Sequence, residues 1–274
     1  MSNTYSSNFI SANGIQQHYY RATPVGGKLP VVLLHGLTDN GICWFRVADV
    51  LRERYDVIMP DTRGHGRSDK PDDGYHLEER AADIAALIEG LGLDRPVLMG
   101  HSLGGQAAAA VAALFPDRVR AIILEDPAWF EQESSAAERA ERAKGWVDGL
   151  MQNKRQTRDA LVAEARQQNP LWPEEELGPW ADAKFEMSPH ALEQIVTATG
   201  GGWRDLLQKV QCPVLLVRAE PERGAIITDQ MAADAAGLWK TGRDAHIIGA
   251  GHCIHREQFE PVMQAVQTFL RELE

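Results

Sequence analysis

Six short apolar runs, spaced by longer stretches of helical periodicity, constrain this chain more than any other feature. The runs cover residues 31–34, 56–59, 97–99, 121–124, 214–217 and 245–248. Their hydrophobicity is continuous rather than alternating, as expected of strands buried on both faces of a mostly parallel sheet. Helical patterns at 44–54, 77–91, 103–115, 228–236 and 257–270 fall between and after them, so helices should cover both faces. The 103–115 stretch is alanine-rich and apolar nearly throughout, which predicts a central helix packed tightly on the sheet. Ahead of the first run, residues 8–10 and 15–20 flank Asn13-Gly14, a two-residue signal for an antiparallel hairpin. The predicted class is α/β.

The rhythm breaks once. From 128 to 205 there is no convincing strand, and Pro170, Pro173, Pro179 and Pro189 cut the segment into short helices. It also carries Trp129, Trp146, Trp172, Trp180 and Trp203. An insertion of this length between two sheet strands predicts a helical cap at 128–205 on a core formed by 1–127 and 206–274. A chain of 274 residues accommodates this as one large domain with an insertion.

Charge and cysteines narrow the partners. With 28 basic and 39 acidic residues the formal net charge is −11, which disfavours a nucleic-acid groove or an anionic membrane surface. Cys43, Cys212 and Cys253 show no CxxC spacing, so neither a zinc site nor a disulfide framework is expected. The polar start lacks a signal-peptide pattern, and no apolar run approaches the ~18 residues needed to span a bilayer. The expectation is a cytoplasmic protein acting on a small molecule. Self-association into a homo-oligomer is left open.

The chemistry concentrates at a few loops. Gly100-His101-Ser102-Leu103-Gly104 matches G-x-S-x-G directly between a strand and a helix. A serine at such a bend takes a strained backbone, and its neighbours two residues away must lack side chains. Ser102 is therefore the candidate nucleophile. Gly251-His252 follows the last strand and precedes the final helix, where an imidazole can reach back over the strand ends, so His252 is the candidate base. His35-Gly36-Leu37 follows the first parallel strand. The backbone N–H groups of Leu37 and Leu103 are the expected oxyanion donors, and His35 reads as structural. His255 should be structural or line the site.

Two positions can supply the acid that orients the base. Asp126 ends the strand beside the nucleophile's strand, while Glu222, with Glu220 nearby, follows the next one. Asp126 is preferred because it is short and sits on a rigid strand end. Glu222 remains the alternative because it occupies the more usual place. Glu125 and Glu220 are expected to meet solvent or the cap. The glycine-rich run Asp61 to Ser68 lacks a P-loop lysine and reads as a structural turn. Trp129 and Phe130, nearest the sheet, are the expected substrate-pocket aromatics.

Together HGLTDN, DTRGHGRSDKP, GHSLGG and GAGH resemble the α/β-hydrolase superfamily over essentially the whole chain outside the cap. The resemblance implies an eight-stranded, mostly parallel sheet, a site at the strand C-terminal ends, and hydrolysis through an acyl-serine without metal or organic cofactor. LEDP at 124–127 is similar to members that place their acid after the sixth strand, as certain lactone, amide and succinate-derivative hydrolases do. Serine at the elbow disfavours the aspartate-nucleophile relatives. The expected activity is cleavage of a small, largely apolar carboxylic ester or lactone. An amide or carbon–carbon bond hydrolase would use the same residues. A cofactor-free dioxygenase would use His252 with an acid, and a triad-retaining receptor would bind without turnover.

Overall fold

A computed structural model describes residues 5–22, 27–130 and 135–274. The remaining parts of the core and cap ranges, 1–4, 23–26 and 131–134, lie outside these residues. The chain forms an eight-stranded sheet. Its strands are β1 (Tyr5–Ala12), β2 (Ile15–Ala22), β3 (Pro30–Leu34), β4 (Asp56–Pro60), β5 (Val97–His101), β6 (Ala121–Glu125), β7 (Val214–Arg218) and β8 (Gly242–His246). The strand order is β1-β2-β4-β3-β5-β6-β7-β8, with β1 and β2 antiparallel and the rest parallel. The β1–β2 hairpin turns at Asn13 and Gly14, both with positive φ (51° and 78°), as a two-residue primed turn requires.

Helices α1 (Phe45–Leu51) and α11 (Phe259–Arg271) cover one face of the sheet. Helices α2 (Leu77–Gly90), α3 (Leu103–Leu114), α8 (Trp203–Leu207) and α9 (Asp229–Ala236) cover the other. Successive strand residues alternate between the two layers. Val32, Leu34, Leu98 and Ile122 face α2 and α3, whereas Val31, Leu33, Val97 and Ala121 face α1 and α11. Both faces are thereby buried, which explains the continuous apolar runs. The alanines of α3 between Ala107 and Ala112 are almost fully buried, since small side chains let the helix approach the strands closely.

Between β6 and β7 lie α4 (Ala136–Arg155), α5 (Arg158–Gln168), α6 (Glu174–Glu186) and α7 (Pro189–Ala198), then α8. Residues of α4 and α7 share a separate apolar cluster that includes Leu150, Leu192 and Ile195 and rests on Leu103. The tryptophans at the two ends of the 128–205 segment do not belong to that cluster. Trp129 and Trp203 stack on each other with centroids 4.5 Å apart and pack in the core layer beside α3. Ahead of α11 the chain makes one short turn of helix, α10 (Ile254–Glu257).

The last strand is displaced from its expectation of 245–248 to Gly242–His246. β8 is an edge strand with a single neighbour, and its residues are mostly exposed, so apolar content is a poor guide to its position. Among the described residues no helix is long and apolar enough to cross a membrane.

Candidate active site

The sheet order brings the C-terminal ends of β3, β5, β6 and β7 side by side, and the site is assembled there. Ser102 sits between β5 and α3 with φ 53° and ψ −115°, a conformation that L-residues adopt only under strain. The glycines on either side make this bend feasible. A Cβ on Gly100 would meet the Gly104 carbonyl oxygen at 2.2 Å, and one on Gly104 would meet the Leu34 carbonyl oxygen at 2.1 Å. The backbone of the bend is itself anchored, because Ser102 N–H donates to the Glu125 carbonyl at 2.9 Å.

Asp126 follows β6 with φ 37° and is completely buried. Its carboxylate accepts the backbone N–H groups of Ile226 (3.0 and 2.9 Å) and Ile227 (3.0 Å). It also lies 2.6 Å from His252 Nδ1. A carboxylate surrounded by donors can only accept, so Nδ1 carries the ring proton and the Nε2 lone pair is left as the basic end. Glu222 is exposed on the turn Pro221–Arg223 and makes no such contact. Glu220 accepts from Gly249 N–H at 2.7 Å instead, which ties its loop to the segment before His252.

Ser102 and His252 line one cavity of about 410 Å³, without a hydrogen bond between them. The loop after β3 lies over the bend: a Cβ on Gly36 would come within 3.7 Å of Ser102 Cβ. The backbone N–H groups of Leu37 and Leu103 are engaged by no other group among the described residues, and both residues line the cavity. His35 is structural in its contacts: Nε2 accepts from Thr62 N–H at 3.0 Å, and Nδ1 donates to the Gly36 carbonyl at 2.8 Å. His65 lies 2.6 Å from the Leu37 carbonyl, and burial pushes its pKa down to about 3, so it braces the loop as a neutral donor.

Phe130 lines the cavity, but Trp129 does not, which corrects the expectation for this residue. Trp129 is 1% exposed and lies flat against Trp203. The Asp126–Pro127 turn sends its indole down beside α3 rather than outward. The walls come instead from Trp146, Trp172 and Trp180, with three cations, Arg142, Lys184 and Arg256. Lys184 on α6 donates to the Thr38 carbonyl (2.8 Å) and to Asp39 Oδ1 (3.1 Å), while Arg256 reaches Asp39 Oδ2 (2.9 Å). Burial works against the Asp39 carboxylate, yet Arg256 and Lys184 hold it well below the usual carboxylate range.

Sequence reasoning also missed a second carboxylate–imidazole pair. Glu125, expected to meet solvent or the insert, is fully buried and accepts from His255 at both backbone N (2.9 Å) and Nδ1 (2.8 Å). Trp44 stacks on the His255 ring at 4.4 Å, and His101 Nε2 donates to the His252 carbonyl at 2.9 Å. Two consecutive acids at the end of β6 thus grip His252 and, on the short α10 that follows it, His255. The adjacency of Glu125 to Asp126, and the three-residue spacing of His252 and His255, were the available signals.

Burial alone would raise the Glu125 carboxyl, but His255 and His101 hold it down at about 2. An unfolded glutamate titrates near about 4.3. The stabilisation is therefore fully present above that value and is lost as pH falls toward about 2. Glu125→Gln is expected to flatten the acid limb of a melting-temperature profile between those two pH values. An unchanged acid slope in the variant would contradict the pairing.

A sequence profile described as the alpha/beta hydrolase fold matches residues 30–258. The chain belongs to the α/β-hydrolase fold family. It is 31% identical over 277 residues to N-formylmaleamate deformylase of Pseudomonas putida, covering 98% of each chain. It is 30% identical over 261 residues to 2-(acetamidomethylene)succinate hydrolase of Mesorhizobium japonicum, covering 89% of each. Among solved structures, E-2-(acetamidomethylene)succinate hydrolase superposes with a TM-score of 0.81 at 23% identity, covering 97% of this chain and 99% of that one. The kinship supports a hydrolase.

Proposed function

We propose that this α/β hydrolase cleaves a small ester or lactone carrying a carboxylate, through an acyl intermediate on Ser102. The observation that carries the reading is one cavity holding the strained Ser102, the basic end of the Asp126-oriented His252, and two unengaged backbone donors at Leu37 and Leu103. Ser102 Oγ attacks the acyl carbon as His252 Nε2 takes its proton. The Leu37 and Leu103 N–H groups receive the oxyanion, supported by the positive end of α3. His252 then protonates the leaving group and activates the water that releases the acid. Ser102 and His252 close their hydrogen bond as substrate binds, since such contacts commonly tighten only in the complex. The segment from α4 to α7 acts as the cap, contributing Trp146, Trp180, Arg142 and Lys184 from its helices and Trp172 from the α5–α6 loop.

Cationic walls and the names of the relatives support the carboxylate. Arg142, Lys184 and Arg256 all line the cavity, where Asp39 pairs with Lys184 and Arg256 and the buried Glu176 also pairs with Arg256 at 3.4 Å. Arg142 lies 5.0 Å over the Phe130 ring and donates to the Thr199 carbonyl, on the insert side of the cavity. The names of the two full-length relatives, one a succinate hydrolase and one a maleamate deformylase, point the same way. An N-acyl substrate is the second reading, favoured by the two full-length relatives, whose names specify a formyl group on nitrogen and an acetamido group.

A panel of matched methyl esters, lactones and N-acyl compounds, each with and without a carboxylate, tests both readings. The carboxylated members are expected to lead, and Arg142→Gln should raise their KM by about tenfold while leaving neutral members unchanged. Equal loss on neutral and charged substrates would remove the carboxylate from the account. The faster of the ester and N-acyl series identifies the bond.

A further inference from the structure

We propose that Ser7, His18 and Asp61 form a second serine–histidine–carboxylate relay, on the protein surface, that accepts acyl groups from activated donors such as aryl esters. Asp61 begins the glycine-rich turn after β4 and is completely buried. Its carboxylate accepts the backbone N–H groups of Gly41 (2.7 Å) and Arg67 (2.9 Å), and Oδ2 lies 2.8 Å from His18 Nδ1. Gly66 allows this inward aim, because a Cβ there would collide with Asp61 Oδ2 at 2.2 Å.

The tautomer follows from the carboxylate. Asp61 can only accept, so His18 Nδ1 carries the proton and Nε2 presents its lone pair. Ser7 Oγ lies 2.8 Å from that nitrogen, so the hydroxyl donates to it. The ring is buried and held between Phe9 (centroids 4.9 Å) and Tyr20 (4.6 Å, edge to face). Ser7 itself is exposed on β1, the outermost strand of the sheet. Arg67 completes the group: Nη1 donates to Ser7 Oγ at 2.8 Å and lies 3.4 Å from His18 Nε2, so a cation borders the reacting atoms and can stabilise the negative charge that develops there. The connection that is open between Ser102 and His252 is thus already made between Ser7 and His18.

The chemistry expected is limited by what surrounds it. Ser7 Oγ bonds to the acyl carbon of 4-nitrophenyl acetate while its proton passes to His18 Nε2. The carbon–oxygen bond to the aryl group breaks with its electron pair, releasing 4-nitrophenolate, and His18 then loses the proton to solvent. Ser7 lies on an extended strand, without the bend and paired backbone donors that surround Ser102. Only donors with good leaving groups should react, and the O-acetyl-serine should persist.

The test does not depend on the function proposed for Ser102. Ser102→Ala protein is treated with 4-nitrophenyl acetate and followed by intact mass and peptide mapping. One acetyl group per chain is expected on Ser7, forming about 100-fold faster than on other serines, in line with general-base assistance. Adding Ser7→Ala should abolish that addition, and Arg67→Met should slow it several-fold; both change exposed or half-exposed side chains. Acetylation without preference for Ser7, or an identical time course in the double variant, overturns the proposal. A reactive Ser7 in a protein whose wild-type turnover survives Ser102→Ala would leave this relay standing and remove the cavity mechanism.

Discussion

Ser102→Ala is expected to lower turnover of the best substrate by about 10⁴- to 10⁶-fold while the protein keeps its circular dichroism spectrum and melting behaviour. The backbone strain at φ 53° belongs to the bend and not to the hydroxyl, so alanine inherits the same geometry between Gly100 and Gly104. What disappears is the atom that bonds to the acyl carbon. The residual rate should reflect the Leu37 and Leu103 donors and the positioning of substrate by the cavity walls. A variant within tenfold of wild type would require a water nucleophile activated directly by His252, and the covalent route would fall.

Asp126→Asn should cost about 10⁴-fold in kcat, close to the loss expected when the orienting acid of such a relay is neutralised. The amide oxygen can still accept from Ile226 and Ile227, so the fold around residue 126 should survive. Its NH₂ group then faces His252 Nδ1, which favours the tautomer protonated on Nε2 and leaves no lone pair for the Ser102 hydroxyl. Glu222→Gln provides the contrast. That side chain is exposed and away from the ring, so its rate should stay within about twofold of wild type. A collapse of activity in Glu222→Gln, with Asp126→Asn active, would reverse the assignment of the acid.

Much of this arrangement is legible in the residues because the determining physics is local. β3 to β7 are buried on both faces, which leaves uninterrupted apolar runs in the sequence. The Ser102 bend needs side-chain-free positions at 100 and 104, and the pentapeptide displays both. Asp126 is separable from Glu222 by its rigid strand end and by the resemblance that LEDP carries, while no local pattern shows which carboxylate faces the imidazole.

Elsewhere the decisive partners are far apart in the chain. Lys184 and Arg256 look like solvated charges until Asp39, at a separation of 145 and 217 residues respectively, supplies the carboxylate between them. The same holds for Glu125 and His255, separated by 130 residues. Trp129 was misread because an aromatic residue just past a strand carries no sign of the side it will face. Only the turn at Asp126–Pro127, with Ala128 N–H donating to the Ser102 carbonyl at 3.0 Å, directs it into the core. The displaced β8 follows from edge position, where one face of backbone pairing suffices and apolar content is not demanded.

The mechanism is tested most directly by rapid mixing of the wild-type protein with an aryl ester, followed by an acid quench and peptide mapping. A burst of one aryl alcohol per chain is expected, with the acyl group on the peptide carrying Ser102, appearing and decaying at rates that account for steady-state turnover. Steady turnover without an acyl group on Ser102, or with the kinetically competent acyl group on any other residue, would contradict it.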